Sequence, residues 1–383
     1  MVLKVARRGR IPPFIVMDVM RAANQREAAG GDVLHMEVGQ PGTGAPAAVI
    51  QALADAMPTD RMGYTDAFGL PALRARIAQH YLETYGVEVD HRRVVTCTGS
   101  SGAFVLAFLS AFEAGDRVAL ASPGYPAYRN ILRALGVEAV DVPVGPETNF
   151  QPSPEILDGV QGRLDGLILA SPSNPTGTMV SRAELGAIVA YCADRGIRLI
   201  SDEIYHGITY AERAETALAF TNDAIIINSF SKYFSMTGWR LGWMIMPDDL
   251  LRPVECLAQN LFISPPTVSQ HAGIAVFECR DELDGHVARY ARNRELLLQE
   301  LPKAGFGNLA SADGAFYLYS DIAHLTNDSN EFCKRMLAES GVAATPGIDF
   351  DPDRGHAFVR FSFAGRTEDM AQAARRLIRW LTE

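Results

Sequence analysis

Residues 224–232 read AIIINSFSK, an apolar run followed by a short polar run that ends in Lys232. The apolar residues 224–227 predict a strand that is covered on both faces, as strands of parallel sheets usually are. A lysine at the end of such a strand loses hydration and charge more easily than a surface lysine, which favours covalent catalysis. The alternative is an ordinary one, because most lysines at strand ends are solvated and inert.

Short apolar runs and helical patterns alternate through the middle of the chain. This strand–helix–strand order predicts an α/β fold with a mostly parallel central sheet flanked by helices. In such a sheet the functional groups gather at the carboxyl ends of the strands. The helical patterns lie at residues 102–112, 126–135 and 182–195. The candidate strands lie at residues 94–97, 117–121, 166–170, 199–200 and 224–227.

The pattern changes after about residue 281. A long helical pattern at 284–301 is followed by strand-like segments at 315–320 and 357–363, and then by an amphipathic helix at 368–381. This order predicts a small α+β domain beside the large one. The expected division is a large domain at 46–281, a small domain made of 11–45 and 282–383, and an N-terminal arm at 1–10.

Composition and charge restrict the class of protein. Of the 383 residues, 48% are hydrophobic and 21% are charged, as in globular proteins of more than one domain. The formal net charge of −10 argues against a nucleic-acid partner. The five cysteines include no CxxC pair, so we expect neither a disulfide framework nor a metal site. No signal-peptide pattern or membrane-length apolar run occurs, which predicts a cytoplasmic protein without a membrane partner.

The sequence SDEIY at residues 201–205 also follows an apolar run. Asp202 would be a buried carboxylate at the end of a strand, and such a group needs a cationic partner. A protonated pyridine nitrogen would be one, and Tyr205 could reach the same ring. The alternative is a helix N-cap, in which Asp202 accepts hydrogen bonds from backbone N–H groups.

Residues 170–177 read ASPSNPTG and follow another candidate strand. The prolines keep the chain out of a helix, so Asn174 is presented as a rigidly placed donor. A simple turn is the alternative, because asparagine, proline and glycine all favour turns.

Residues 96–103 read TCTGSSGA and run from a strand into a helix. Backbone N–H groups at the helix start, with the hydroxyls of Ser100 and Ser101, could bind an anion. The pattern is neither a Walker loop nor a GxGxxG fingerprint. A helix cap that contains glycine is the alternative.

Two arginines complete the candidate set. Arg240 lies in MTGWRLG at residues 236–242, shortly after Lys232, and could pair with a phosphate. Arg360 lies in an apolar strand-like segment, between Phe358 and Phe361. Its guanidinium suits a carboxylate bound by two hydrogen bonds, and a structural ion pair is the alternative.

The motifs TGSSGA, SPGYPAY, SPSNPTG, SDEIY, SFSK and MTGWRLG occur in this order along the chain. Together they resemble the class I and II aminotransferases of the pyridoxal-5′-phosphate (PLP) fold type I. The resemblance runs from about residue 38 to residue 361 and covers nearly the whole chain. It implies PLP as the cofactor and the large and small domains of that fold.

The resemblance also implies roles for individual residues around the cofactor. Lys232 would be the Schiff-base lysine and the proton carrier. Asp202 would pair with the pyridine nitrogen, and Asn174 and Tyr205 would donate to the ring hydroxyl oxygen. Tyr125 would stack on the ring. The phosphate would be bound by Ser100, Ser101, Ser229 and Arg240.

Substrate binding and assembly follow from the same resemblance. Arg360 would bind the substrate α-carboxylate, with Asn174 and the backbone of Gly39 beside it. Tyr64 is similar to the tyrosine that reaches the phosphate of the neighbouring subunit. The resemblance therefore implies a homodimer with shared active sites.

The implied activity is a ping-pong transfer of an amino group from an α-amino acid to an α-keto acid, with 2-oxoglutarate or pyruvate as the acceptor. Ser101 stands where one bacterial branch of aspartate aminotransferases carries a lysine for the distal carboxylate. Residues 260–265 contain no arginine, so an apolar or aromatic substrate side chain is the working hypothesis.

Three other functions share this fold and stay open at this stage. One is elimination, as in carbon–sulfur lyases or cyclopropane-forming synthases. The second is a sensor domain of a transcription regulator, which the few residues before Ile11 disfavour. The third is a catalytically inactive homologue, which the presence of every expected chemical group disfavours.

Overall fold

The computed structural model describes residues 3–382. Residues 1 and 2 of the predicted N-terminal arm, and residue 383 of the predicted small domain, lie outside the described residues. The helices are α1 (Ile15–Ala28), α2 (Ala47–Ala56), α3 (Pro71–Tyr85), α4 (Gly99–Ala111), α5 (Pro126–Leu135), α6 (Pro154–Asp158), α7 (Arg182–Arg195), α8 (Asp248–Leu261), α9 (Thr267–Ala275), α10 (Arg280–Glu300), α11 (Ser329–Arg335) and α12 (Thr367–Thr382).

The strands form a large central sheet and smaller sheets beside it. They are β1 (Leu34–His35), β2 (Val94–Cys97), β3 (Arg117–Ser122), β4 (Glu138–Pro143), β5 (Gly166–Ala170), β6 (Arg198–Asp202), β7 (Ile225–Ser229), β8 (Gly242–Ile245), β9 (Asn308–Leu309), β10 (Tyr317–Asp321), β11 (Val342–Ala343), β12 (Thr345–Pro346) and β13 (Phe358–Ser362).

The central sheet has seven strands in the order β2-β8-β7-β6-β5-β3-β4. Strands β3 to β7 pair in parallel, and β8 runs antiparallel to both of its neighbours. The predicted α/β class with a mostly parallel sheet is therefore confirmed. Its parallel strands place their carboxyl ends at one edge, where the loops after β5, β6 and β7 meet.

Strand β7 illustrates why the apolar runs become central strands. All five of its residues are buried. Ile226 packs on one side with helix residues such as Leu185, whereas Ile225 and Ile227 pack on the other side with residues such as Phe104. Burial on both faces requires apolar residues at every position, and each such side chain contributes about 1.5–3 kcal/mol.

Two strands of the central sheet were not predicted from the sequence. Strand β4 lies at the edge of the sheet and carries Glu138 and Asp141, which interrupt its apolar pattern. Strand β8 is buried throughout but short, and its glycine, Gly242, weakens the strand signal. An edge strand needs only partial burial, so its sequence pattern is weak.

The C-terminal part of the chain forms an antiparallel sheet of four strands in the order β12-β13-β10-β9. Its core includes Phe316 and Phe361 and residues of helices α10 and α12, such as Leu297 and Leu377. Strand β1 joins this part, because it pairs in parallel with β11. This pairing agrees with a small domain built from both ends of the chain, and the domain limits at 46 and 281 stay predictions.

No helix within residues 3–382 combines the length and apolar character needed to cross a membrane.

Candidate active site

A cavity of about 660 Å³ opens at the carboxyl ends of the central strands. Side chains from the loops after β5, β6 and β7, from the start of α4, and from β10 and β13 form its walls. The volume is that of a site for a small molecule or cofactor. Residues that were predicted from the sequence and line this cavity are Gly39, Ser100, Ser101, Tyr125, Asn174, Asp202, Tyr205, Lys232, Arg240 and Arg360.

Lys232 follows β7 by three residues and directs its amino group into the cavity. Its Nζ donates a hydrogen bond to the backbone oxygen of Gly39 at 2.5 Å. Burial, together with the charges of Arg360 and Arg240, lowers the pKa of Lys232 to about 8. A neutral amine is therefore accessible near neutral pH, and a neutral amine is the nucleophile that attacks a carbonyl.

Asp202, the last residue of β6, is a buried carboxylate that forms no ion pair with a Lys, Arg or His side chain in the described part of the chain. It accepts hydrogen bonds from Tyr128 Oη and from the backbone N–H of Ile204, the latter at 3.0 Å. Burial raises the pKa of Asp202 to about 6, although these hydrogen bonds and Lys232 oppose the rise. A cation placed in the cavity beside this carboxylate would stabilise its charged form.

Arg360 lies on β13 and is almost fully buried, at 2% exposure. Its Nη1 donates to Asn174 Oδ1 at 2.8 Å, and its Nη2 donates to Thr345 Oγ1 at 3.2 Å and to the backbone oxygen of Glu37. Its Nε has no hydrogen-bond partner within residues 3–382. A buried guanidinium that pairs with no carboxylate in the described residues is suited to bind the carboxylate of a ligand.

The start of α4 lies against the guanidinium of Arg240. Gly99 has a φ of 71°, and a Cβ at this position would overlap Arg240 Nη2. The glycine therefore lets the guanidinium lie against the first turn of the helix, where Ser100 and Ser101 stand. Free N–H groups of the helix N-terminus and a guanidinium together favour a phosphate.

The family model described as "Aminotransferase class I and II" matches residues 31–377. The valine–pyruvate aminotransferase of Mycobacterium tuberculosis is 50% identical over 99% of this chain and 98% of its own length. A crystal structure of an aminotransferase from Mycobacterium tuberculosis has a TM-score of 0.97 and 49% identity, covering 99% of both chains. The (5-formylfuran-3-yl)methyl phosphate transaminase of Methanocaldococcus jannaschii is 31% identical over 97% of each chain.

This chain belongs to the class I and II aminotransferases.

The predicted family, fold class and enzyme class are thereby confirmed. The enzyme is an aminotransferase, and its family consists of PLP enzymes. The residues of the cavity fit that cofactor, because they offer a lysine with a lowered pKa, a buried carboxylate, and a guanidinium beside a helix N-terminus. In the described residues no cluster of three or more His, Cys, Asp or Glu could hold a metal ion.

Two predicted site residues of the aminotransferase lie apart from the cavity of this chain. The hydroxyl of Ser229 is buried and donates to the backbone oxygen of Leu241 at 3.0 Å, while Ser231 lines the cavity instead. Tyr64 is 84% exposed and lines a separate concave surface that also includes Thr98 and residues 264–267. The predicted roles of both residues stay predictions.

The aminotransferase also has cavity residues that the sequence analysis missed. Tyr128 lies one turn after Tyr125 on α5, so both face the cavity, and this spacing could have indicated it. Tyr317 enters from β10, and its strand pattern carries no local sign of a role. Its partners are distant in sequence, and only folding brings them together.

An apolar wall of the cavity comes from the N-terminal segment, at Phe14, Val16, Met17 and Met20. Phe14 packs edge-on against the ring of Tyr125, with the ring centroids 5.7 Å apart. No function was predicted for this segment from the sequence. Helical spacing could have shown that these residues share a face, but not that the face borders the cavity.

Proposed function

We propose that this aminotransferase binds PLP through Lys232 and transfers the amino group of a neutral aliphatic α-amino acid to pyruvate. The observation that carries the proposal is the convergence of Lys232, Asp202 and Arg360 in one cavity. When bound, PLP supplies an aldehyde that takes up the amino group and a ring that withdraws electrons from the α carbon.

The polar residues of the cavity divide into cofactor-binding groups with separate tasks. Asp202 would pair with the pyridine N–H⁺, which would supply a cation to this buried carboxylate. The hydroxyl of Tyr205 and the amide of Asn174 would donate to the ring oxygen, and the ring of Tyr125 would stack on the cofactor. Ser100, Ser101 and Arg240 would hold the phosphate, and Ser229 would join them only if its hydroxyl left the backbone oxygen of Leu241.

Arg360 would bind the substrate carboxylate through its guanidinium, and Asn174 Oδ1 accepts from Nη1 and keeps the group in place. The backbone of Gly39 lies beside the same group. Because amino acid and keto acid both carry an α-carboxylate, the same arginine serves both halves of a ping-pong reaction. Lys232 Nζ takes the proton from the substrate α carbon, and its lowered pKa suits this task near neutral pH.

Two observations support a neutral aliphatic substrate. The wall formed by Phe14, Val16, Met17 and Met20 is apolar, and an apolar wall favours an apolar side chain over a second carboxylate. The relative from Mycobacterium tuberculosis that is named for valine and pyruvate shares half of its residues with this chain. We therefore favour pyruvate over 2-oxoglutarate as the acceptor.

The proposal includes a homodimer in which Tyr64 reaches the cofactor phosphate of the partner subunit. Exposed apolar side chains support an interface in this region, at Met57, Tyr64, Leu261 and Ile263. The cytoplasmic location is also proposed, and the free state of all five cysteines supports a reducing compartment.

Absorption spectroscopy of the purified protein with added PLP tests the proposal. We expect a visible band that L-valine bleaches and that pyruvate restores, with L-aspartate and 2-oxoglutarate much less effective. The Lys232→Ala variant cannot link covalently to PLP, so it should lack the visible band that changes with pH. Absence of the band from the wild-type protein would contradict the role of Lys232. Release of ammonia without any keto acid would identify an elimination enzyme instead.

A further inference from the structure

The hydroxyl groups of Tyr205 and Tyr317 face each other inside the cavity. Their oxygens are 2.6 Å apart, and the two rings meet edge-to-face with centroids 5.6 Å apart. Both residues are buried, at 4% and 1% exposure. Within residues 3–382 neither hydroxyl has another hydrogen-bond partner. Tyr205 and Tyr317 therefore form an isolated pair whose remaining hydrogen-bonding capacity faces the cavity.

The surroundings of Tyr317 prevent its hydroxyl from turning away. A Cβ on residue 39 would overlap the Tyr317 oxygen, so Gly39 is required for the backbone to pass this close. On the ring, the guanidinium of Arg360 lies 4.4 Å from the centroid. The hydroxyl is thus fixed between the backbone of Gly39 and the hydroxyl of Tyr205. Either tyrosine can be the donor of the hydrogen bond that joins them.

The direction of this hydrogen bond follows from the proposed function, on which the inference rests. When Tyr205 donates its proton to the ring oxygen of PLP, its own oxygen can only accept from Tyr317. A hydroxyl that accepts a hydrogen bond becomes a better donor, because linked hydrogen bonds polarise one another. Tyr317 would therefore act on the cofactor through Tyr205 without touching the reacting atoms.

We propose that Tyr317 is a positioning residue that donates to Tyr205 and thereby lowers the pH at which the Lys232–PLP linkage loses its proton. The donated hydrogen bond strengthens the contact of Tyr205 with the ring oxygen, which carries more negative charge once the linkage is deprotonated. Other charged or titratable groups that face this pair are Tyr125, Asp202, Lys232, Arg240 and Arg360.

The Tyr317→Phe variant removes the hydroxyl and keeps the ring beneath Arg360. The Tyr319→Phe variant is a matched control, since Tyr319 is buried on the same strand and its hydroxyl has no partner in the described residues. A pH titration of the visible absorption should show an apparent pKa about half a unit higher in Tyr317→Phe, a shift expected for part of one hydrogen bond. The titration of Tyr319→Phe should match the wild type.

A double-mutant cycle separates this role from a general structural one. The Tyr205→Phe variant should raise the apparent pKa further, and adding Tyr317→Phe to it should produce no additional shift. An unchanged titration in Tyr317→Phe, or an equal shift in both backgrounds, would overturn the inference. A wild-type protein without a visible band would overturn the proposed function itself. This result is distinct from an unchanged titration and from an equal shift, because both of those require the band to be present.

Discussion

At the scale of single residues, burial moves the pKa values of acids and bases towards one another. The pKa of Lys232 falls to about 8 because burial disfavours its charge. For the same reason the pKa of Asp202 rises to about 6, and that of its neighbour Glu203 rises to about 8. Groups that would otherwise be fully charged can therefore change protonation near neutral pH, as general acid–base chemistry requires.

Replacing Arg360 with lysine should weaken substrate binding while leaving the cofactor in place. Lysine cannot form two parallel hydrogen bonds to a carboxylate, nor lie flat against the Tyr317 ring. We expect KM for the amino acid to rise roughly 10- to 100-fold, the value of one or two charged hydrogen bonds. Steady-state kinetics measure KM, and the visible spectrum shows whether the cofactor is retained. An Arg335→Lys variant, which alters an exposed ion pair, should leave both unchanged.

Glu203 should make folding stability depend on pH. Its Oε1 accepts hydrogen bonds from Thr216, Ala217 and Ser201, whereas Oε2 has no hydrogen bond in the described residues and lies 3.6 Å from His206 Nδ1. Because burial raises its folded pKa to about 8 from 4.5, the folded state holds a proton that the unfolded state has lost between these values. Its contribution to stability is therefore complete below about pH 4.5 and decreases as the pH rises to about 8.

The Glu203→Gln variant should remove this pH dependence, since glutamine stays neutral. We expect its thermal midpoint, relative to the wild type, to increase steadily from pH 5 to pH 8. Thermal unfolding followed by circular dichroism at several pH values provides the comparison, with Glu212→Gln at an exposed position as the control. If the thermal midpoints of variant and wild type differed by the same amount at every pH, Glu203 would be ionised in the folded protein.

At the scale of elements, helix α1 depends on a residue from the far end of the chain. Its N-cap residue is Phe14, which has no polar side chain to accept from the first backbone N–H groups. The carboxylate of Asp349 takes this place and accepts from Ile15 and Val16 at 3.0 and 3.1 Å. This contact holds the start of α1, and with it the apolar wall, against the cavity.

The Asp349→Ala variant should loosen the start of α1 and widen the cavity at its apolar wall. Loss of such a cap costs about 1 kcal/mol. We expect faster hydrogen exchange at residues 15–17 and a higher KM for valine, with a smaller change for alanine. The Asp328→Ala variant removes the cap of α11, none of whose residues lines the cavity, and serves as the control. Equal effects of both variants on KM for valine would show that the Asp349 contact is not specific to the site.

At the scale of the whole molecule, the site joins two separate sheets. Lys232 and Asp202 follow strands of the central sheet, whereas Arg360 lies on the four-stranded C-terminal sheet. The hydrogen bond from Arg360 to Asn174 links the two. Tyr64 lies on another surface of the same chain, so a role at the cofactor requires a second subunit.

Mixing inactive variants tests the shared site. In a hybrid of Lys232→Ala and Tyr64→Ala subunits, one site carries both changes and the other carries neither. We expect activity to return when the two variants are mixed under conditions of subunit exchange. Lys232→Ala mixed with Arg360→Ala should stay inactive, because both residues line the cavity of one chain. Failure of the first mixture, with hybrids shown to form, would contradict the role of Tyr64.

Local sequence patterns were sufficient for the fold class and for most of the cavity. Strand β7 and the loops with Asn174, Asp202 and Lys232 were predictable because apolar runs produce buried parallel strands. The carboxyl ends of such strands meet at one edge, so the polar residues that follow them come together. The motif order then indicated the family, and the family match confirmed it.

Contacts between distant segments required the folded structure. The pairing of Tyr205 with Tyr317 spans 112 residues, and that of Asp349 with Ile15 spans 334. Neither end of such a contact carries a local signal, because a buried tyrosine or a capping aspartate looks the same wherever its partner lies. Tyr128 and the apolar face of α1 were missed for a related reason. Helical periodicity shows which residues share a face, while packing determines what that face contacts.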